Sequence, residues 1–198
     1  LNNFKDNNSV IQLIGEEFTG PVHFVKFWLD VIRDWEKETG KKPLIGLSVT
    51  KDVQDSILKI PAYAALIDII DIRYWHYQAD GSVYAPPGGV SLAPRQHARL
   101  LKPKKTSFEQ VYRAVKEYRD KYPGKAVMYS GDSYPEFGMA AFMAGGSMSV
   151  LFGTVDKEIL SAATGMKPVN ASDKNEYILS DGKKSIVYNT VTRKLELK

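Results

Sequence analysis

The stretch Val10-Ile11-Gln12-Leu13-Ile14-Gly15-Glu16-Glu17-Phe18-Thr19-Gly20-Pro21 decides how this chain is read. An apolar run meets two adjacent carboxylates, then a Thr-Gly-Pro break, then a long amphipathic pattern. Val10–Ile14 predicts a short buried strand, covered on both faces, that presents acids at its carboxyl end just before a helix. In strand–helix folds the carboxyl ends of the strands are where chemistry sits. A Glu placed there can act as a general acid, although the commoner fate of a Glu is a solvated loop carboxylate.

Downstream, the same alternation repeats. Val25, Trp28, Leu29, Ile32 and Trp35 recur at three- and four-residue spacing, which predicts a core-facing helix over residues 22–39 with Gly40 as its C-cap. Leu44–Val49 reads as a second buried strand, residues 52–58 and 61–66 as short helices, and residues 67–75 as a third strand. A Gly/Pro-rich loop runs from Gln78 to about Pro103, and loops that long are usually functional or mobile. Thr106-Ser107-Phe108-Glu109 fits a capping box ahead of a helix over residues 107–121. Residues 126–129 then predict a fourth strand, 137–144 a helix and 147–152 a fifth strand. Strands joined by helices imply a parallel α/β sheet, either open and doubly wound or part of a (β/α)8 barrel.

The pattern changes after Thr154. A helix at 157–164 is followed by short antiparallel strands at 176–179, 185–188 and 195–197, with a hairpin turn at Asp181-Gly182. A meander this short cannot bury a core alone, so it either packs on the α/β part or begins a sandwich that this chain does not complete. The expected division is 1–155 for the α/β part and 156–198 for a linker helix and short β meander, the start of a sandwich being one reading of the latter.

Composition narrows the function. The chain has 198 residues, 43% hydrophobic and 25% charged, with a net charge of +4. No apolar run approaches the ~20 residues of a membrane span. Basic residues are interleaved with acids, and the densest basic run, Lys102-Pro103-Lys104-Lys105, is too short for a nucleic-acid stripe. The absence of cysteine excludes disulfides, thiolate metal sites and Cys nucleophiles. Three histidines without ligand spacing predict no metal, and no cofactor motif is present. Residue 1 is Leu rather than Met, so a processed, trimmed or internal start is expected.

Each predicted strand is followed by polar or aromatic residues. Glu16 and Glu17 follow the first, and Thr50, Lys51 and Asp52 the second. Tyr74, Trp75, His76 and Tyr77 follow the third, and Tyr129, Ser130, Asp132 and Glu136 the fourth. Two carboxylates beside aromatic platforms are what glycosidic cleavage requires: one protonates the leaving oxygen and the other attacks or activates water. Each residue also has a plainer role, as core packing for the aromatics, a turn for Asp132 and helix-terminal charge for Glu136. Asp68 and Asp71 read as strand-end or surface groups.

Ile14-Gly15-Glu16-Glu17-Phe18-Thr19-Gly20 resembles the strand-four motif of (β/α)8-barrel glycoside hydrolases of the bacterial polysaccharide-degrading type, where an Asn-Glu pair supplies the acid/base. The resemblance implies Glu17 as acid/base, with Glu16 standing where the family carries Asn. Arg73-Tyr74-Trp75-His76 is similar to strand six, which borders the sugar pocket, and Ala126–Asp132 to strand seven, which carries the nucleophile. No Glu ends that strand here, so Asp132 or Glu136 would be the second carboxylate. Glu16, Lys51, Tyr74, Trp75, His76 and Tyr129 would line the carbohydrate site. The tail resembles the small β domain that follows such barrels. The implied protein is strands four to eight of a barrel with a periplasmic or extracellular address, its missing strands lying upstream or on another chain. Other readings are a non-catalytic carbohydrate-binding barrel, an inactive hydrolase fragment, or an open-sheet enzyme acting on a phosphorylated substrate. The missing phosphate loop counts against the last.

Overall fold

A computed structural model describes residues 1–72, 76–84, 106–130, 134–147 and 156–192, with backbone only for Glu16, Glu17 and residues 134–136. Four strands form one parallel sheet: β1 (Ile11–Phe18), β2 (Leu44–Val49), β3 (Ile69–Ile72) and β4 (Ala126–Tyr129). Their spatial order is their chain order, β1-β2-β3-β4. The connections carry α1 (Val22–Thr39), α2 (Lys51–Leu58), α3 (Pro61–Ala64) and α4 (Phe108–Lys121), and α5 (Tyr134–Met143) follows β4.

Local chemistry explains the boundaries. Pro21 precedes α1, and Gly40 ends it in the left-handed conformation at φ 64°. The capping expectation at α4 shifts by one residue. Ser107 is the N-cap, its hydroxyl accepting from the Gln110 N–H at 3.4 Å, while the Thr106 hydroxyl donates to the Tyr77 carbonyl at 2.9 Å. Thr106 is thereby spent tying the helix start to the chain after β3. β1 also runs further than the apolar run implies. It continues through Gly15, Glu16 and Glu17 to Phe18, with a register shift between Ile14 and Phe18. Gly15 sits at φ 69°, so glycine's freedom lets the strand bulge there and resume.

Among the described residues, α1, α2, α4 and α5 pack on one face of the sheet. A single apolar cluster joins Val25, Leu29 and Ile32 of α1, Val53 and Ile57 of α2, Val111, Val115 and Tyr118 of α4, and Ala140 and Ala141 of α5. The strands contribute Ile14, then Ile45, Leu47 and Val49, then Ile70 and Ile72, then Val127 and Tyr129. These are alternate residues, so they share a face. The intervening residues face the other way: Ile11 and Leu13, Gly46 and Ser48, Ile69 and Asp71, Ala126 and Met128. The expectation that the first strand is covered on both faces fails at this edge, where Ile11 and Leu13 are 40% and 43% exposed.

After α6 (Lys157–Ala163) come β5 (Lys167–Val169), β6 (Glu176–Ser180) and β7 (Ser185–Asn189), a separate antiparallel sheet in the order β5-β6-β7. β5 has no counterpart in the sequence reading, because its three residues include a proline and lack alternation. The β6–β7 hairpin closes at Asp181-Gly182, where the Asp181 carboxylate accepts from the Lys183 and Lys184 N–H groups at 2.8 and 2.7 Å. This sheet rests on α4 and α5 through a second apolar cluster of Met143, Met166, Tyr177 and Leu179. Phe108 stacks on Tyr188 at 5.2 Å, and Tyr112 meets Tyr177 edge-on at 4.6 Å. Of the two alternatives for the meander, packing on the α/β part is the one these contacts show. The expected strand at 195–197 lies outside the described residues. So does nearly all of the strand expected at 147–152, except that Ser147 is hydrogen-bonded to Val127 through both its N–H and its hydroxyl.

Candidate functional site

On the sheet face opposite these helices, polarity appears one layer before the strands end. Gly46 pairs with Ile69 and Leu47 with Ile70, so Ser48 of β2 falls beside Asp71 of β3, and Asp71 pairs with Met128 of β4. Asp71 is only 1% exposed, and Ser48 and Thr50 are fully buried. The Ser130 hydroxyl, just past β4, donates to the Asp71 carboxylate, and the Ser130 N–H donates to the Ile72 carbonyl at 3.0 Å. The chain leaving β4 is thus fixed at Ser130, two residues before Asp132. On β1 the bulge brings Gly15 against β2: a Cβ there would lie 3.2 Å from the Ser48 carbonyl oxygen. The Glu16-Glu17 backbone therefore sits in an irregular stretch at the carboxyl end of β1, on the strand next to Ser48. Bulges of this kind are over-represented beside active sites.

The residues singled out from the sequence separate into groups. Glu16 and Glu17 belong to the bulged end of β1, and Glu136 to the first turn of α5; their side chains lie outside the described residues, as do Tyr74, Trp75 and Asp132 altogether. Tyr129 packs in the apolar core on the helix-covered face, away from Asp71. Lys51 and His76 come together in a second polar cluster, also on the helical side.

That cluster links α2, α4 and the chain after β3. The Lys51 ammonium reaches Asp55 at 3.0 Å and Glu117 at 2.8 Å and lies over the rings of Tyr118 and Tyr77, 5.0 and 5.5 Å from their centroids. Glu117 also accepts from Lys121 at 2.6 Å and from the Tyr77 hydroxyl at 2.5 Å, and Tyr118 donates to Asp55 at 2.7 Å. Burial pushes the Glu117 carboxyl up, but its hydrogen bonds from Lys121, Lys51 and Tyr77 outweigh that and hold it at about 2. Tyr77 is pushed up to about 12 by burial and by its bond to Glu117. His76, 1% exposed, is lowered to about 4, first by burial and then by the nearby Lys51 charge. Its Nε2 lies 3.2 Å from the Val49 carbonyl oxygen, so the neutral ring donates there. A neutral imidazole, a paired lysine and a strongly ionised carboxylate make this cluster a clamp between helices.

Two features escaped the sequence reading. Asp71 is buried in mid-sheet rather than at a surface. The signal was available: Ile69-Ile70-Asp71-Ile72 puts a charge inside a strand of isoleucines, where burial is costly unless the group is bonded. The Glu117 clamp left only weak marks, the Lys51/Asp55 and Glu117/Lys121 pairs at i,i+4 spacing. Among the described residues no cluster of three or more His, Cys, Asp or Glu side chains is placed to hold a metal ion.

Fold and site together define an α/β protein whose parallel sheet is covered by helices on one face and carries a buried acid on the other. The chain belongs to the family described as a domain of unknown function, DUF6298, which matches residues 1–166. The match ends just before β5, so it takes in the parallel sheet and its helices and leaves out the antiparallel sheet. No curated protein sequence matches the chain.

Proposed function

We infer that this chain is part of a (β/α)8-barrel glycoside hydrolase and that it works on a polysaccharide or oligosaccharide by a two-carboxylate mechanism. The observation that carries the reading is Asp71, a buried carboxylate on the sheet face opposite α1, α2, α4 and α5. It is bonded to Ser130 and lies two strands from the Glu16-Glu17 bulge. Strands in chain order with α1, α2, α4 and α5 packed on the same side suit consecutive units of a barrel. A doubly wound sheet covers both faces and reverses its order. In barrels the carboxyl ends of the strands hold the catalytic groups.

In this reading Glu17 is the acid/base and Asp132 or Glu136 the second carboxylate. Asp71 holds Ser130 and so positions the segment that carries Asp132. A retaining enzyme places the two carboxyl groups roughly 5–5.5 Å apart, an inverting one roughly 6.5–9.5 Å. A polysaccharide substrate suits a protein exported to the periplasm or beyond. The test is a panel of polysaccharides and aryl glycosides offered to the natural polypeptide and to its Glu17→Gln variant. Hydrolysis that falls at least ~100-fold in the variant supports the reading. Hydrolysis left intact by Glu17→Gln ends it.

A second reading is glycan binding without turnover. It is favoured by Glu16 where an Asn is expected and by the lack of a Glu at the end of β4. Calorimetric binding of a glycan that is never cleaved would select it.

A further inference from the structure

The amino ends of β1 and β2 carry a groove that the two-carboxylate chemistry does not use. Its volume is about 300 Å³, and it is bounded by residues 1–10, the start of β1 and the turn from α1 into β2. Two polar contacts hold its walls together. Asn2 accepts from the Trp35 indole N–H at 2.7 Å, and Asp6 pairs with Lys41 at 3.0 Å. Trp35 belongs to the carboxyl-terminal part of α1, so the leading residues lie along that end of the helix. Gln12 is on the helix-facing side of β1, because Ile11 and Leu13 face the other way. It therefore shares that side of the sheet with Trp35.

The lining is unevenly charged. Lys5, Lys41 and Lys42 bring three ammonium groups, and no carboxylate among the described residues lines the groove. Asp6 engages Lys41 from outside, and its carboxyl is held below the usual range first by that hydrogen bond. Lys5 and Lys42 make no ion pair or side-chain hydrogen bond among the described residues, and neither do the carboxamides of Asn8 and Gln12. Like charges gathered without a counter-ion favour an anion. Each carboxamide offers a donor and an acceptor, which suits hydroxyl groups. The half-buried Trp35 ring supplies an apolar face. The helix end beside the lysines is the carboxyl end of α1, which carries partial negative charge. That setting suits a carboxylate monoanion better than a phosphate dianion, which helix amino ends and arginine forks hold best. The volume is at the small end of ligand pockets, so the occupant is a small unit rather than a long stretch of polymer.

We propose that this groove binds a sugar unit that carries a carboxylate, a uronate, at a site separate from the strand ends where Glu16 and Glu17 stand. The carboxylate of the sugar meets Lys5 and Lys42, its hydroxyls meet Asn8 and Gln12, and the C–H face of its ring lies on Trp35. The groove is at the opposite end of the strands from the candidate acids, so its occupant is held and not cleaved. Turnover assays and binding in this groove read different ends of the sheet and can fail separately.

The test titrates the natural polypeptide containing this chain with glucuronate, glucose and acetate, following the tryptophan indole N–H resonances by NMR. The Trp35 signal, identified by its loss in Trp35→Phe, should move with glucuronate at concentrations where glucose and acetate leave it in place. Lys42→Gln should weaken glucuronate binding about three- to fivefold, the worth of one partly exposed ion pair, with the thermal midpoint unchanged. Lys37→Gln, on the exposed side of α1, should leave binding as it is. A Trp35 resonance that ignores glucuronate overturns the proposal. An equal response to glucose overturns it by removing the role of charge, and an equal response to acetate by leaving a bare anion groove. Undiminished affinity in the Lys42→Gln variant overturns it as well.

Discussion

Replacing Glu117 by Gln should cost the fold about 2–3 kcal/mol at neutral pH. The carboxylate receives Lys51 at 2.8 Å, Lys121 at 2.6 Å and the Tyr77 hydroxyl at 2.5 Å. Burial opposes ionisation, yet these donors hold the group at about 2 against an ordinary 4.5, a difference of about 3 kcal/mol between its two protonation states. Screening is weak between Glu117 and Lys51, 18% and 7% exposed, but Lys121 is 54% exposed and its share is discounted, which brings the expected cost below the full difference. Gln keeps the shape and an acceptor for Tyr77, so part of the interaction survives. What is lost is the charge that faces a buried ammonium, leaving Lys51 with Asp55 as its paired carboxylate. The pH dependence identifies the cause. The folded carboxyl titrates below its unfolded value, so its contribution is complete above about pH 4.5 and is lost as pH falls through about 2. Urea unfolding followed by tryptophan fluorescence, at steps from pH 7 to pH 2.5, should show the gap between wild type and Glu117→Gln closing in acid. A double-mutant cycle with Lys51→Met should give a coupling of about 2 kcal/mol. A cost below ~0.5 kcal/mol at pH 7, or a gap that stays constant down to pH 2.5, would refute the reasoning.

His76 should stay neutral far into acid: its imidazole NMR resonances should titrate near 4, and a midpoint between 6 and 7 would contradict its burial. Because its unfolded value is 6.5, this group contributes fully above about pH 6.5, and up to about 3 kcal/mol is lost as pH falls through about 4. Gly15→Ala should cost more than about 2 kcal/mol in denaturant titrations. Its φ is positive, and the new Cβ would lie 2.6 Å from Phe18 Cβ and 3.2 Å from a carbonyl oxygen. Gly40→Ala, at a similar φ of 64° but with nothing within 4 Å, should cost only about 1 kcal/mol, and the reverse ranking would remove the close-approach argument. Ser130→Ala takes a donor from the buried Asp71 carboxylate and should lower stability by about 1–3 kcal/mol; a change inside ±0.5 kcal/mol speaks against that bond.

Periodicity made most of the helix layer legible. Val25, Leu29 and Ile32 lie where three- and four-residue spacing puts them, and the Gly40 cap ends α1 as its lack of a side chain permits. The parallel order also followed from alternating strands and helices. What stayed hidden depends on tertiary contact. Trp28 sits on the same spacing as the core residues yet faces outward, because a helix with apolar residues on two sides does not declare which side meets the sheet. Thr106 has the right chemistry for an N-cap, but the Tyr77 carbonyl takes its hydroxyl. Lys51 and His76 were placed correctly after their strands, but spacing cannot show that both turn back under the helices to meet Glu117 and Tyr118.

The distribution of side-chain size along β2 and β3 is the strongest local argument for where chemistry belongs in this fold. In β2 the residues toward the helices are Ile45, Leu47 and Val49, and those on the opposite face are Gly46 and Ser48. A sheet wound with helices on both faces would want bulky apolar residues on each. The glycine is not a gap: a Cβ on Gly46 would lie 2.9 Å from Leu13 Cδ1 and 3.3 Å from Ile11 Cγ2, so β1 side chains fill the space it leaves. The face opposite those helices thus begins as an apolar layer of Leu13, Gly46 and Ile69. One step along the strands it turns polar, with Ser48 beside Asp71, and Thr50 and Ser130 lie a step further on. Apolar packing toward the amino ends fixes the strands, and the polar layer above it is held without loosening them. A carboxylate such as Asp71 can remain buried there because Ser130 supplies a donor. The bulge at Gly15 departs from regular pairing at the same level, just where the chain adds Glu16 and Glu17. Structural constraint and candidate chemistry are thus separated along the strand axis, and the acids stand at the carboxyl end.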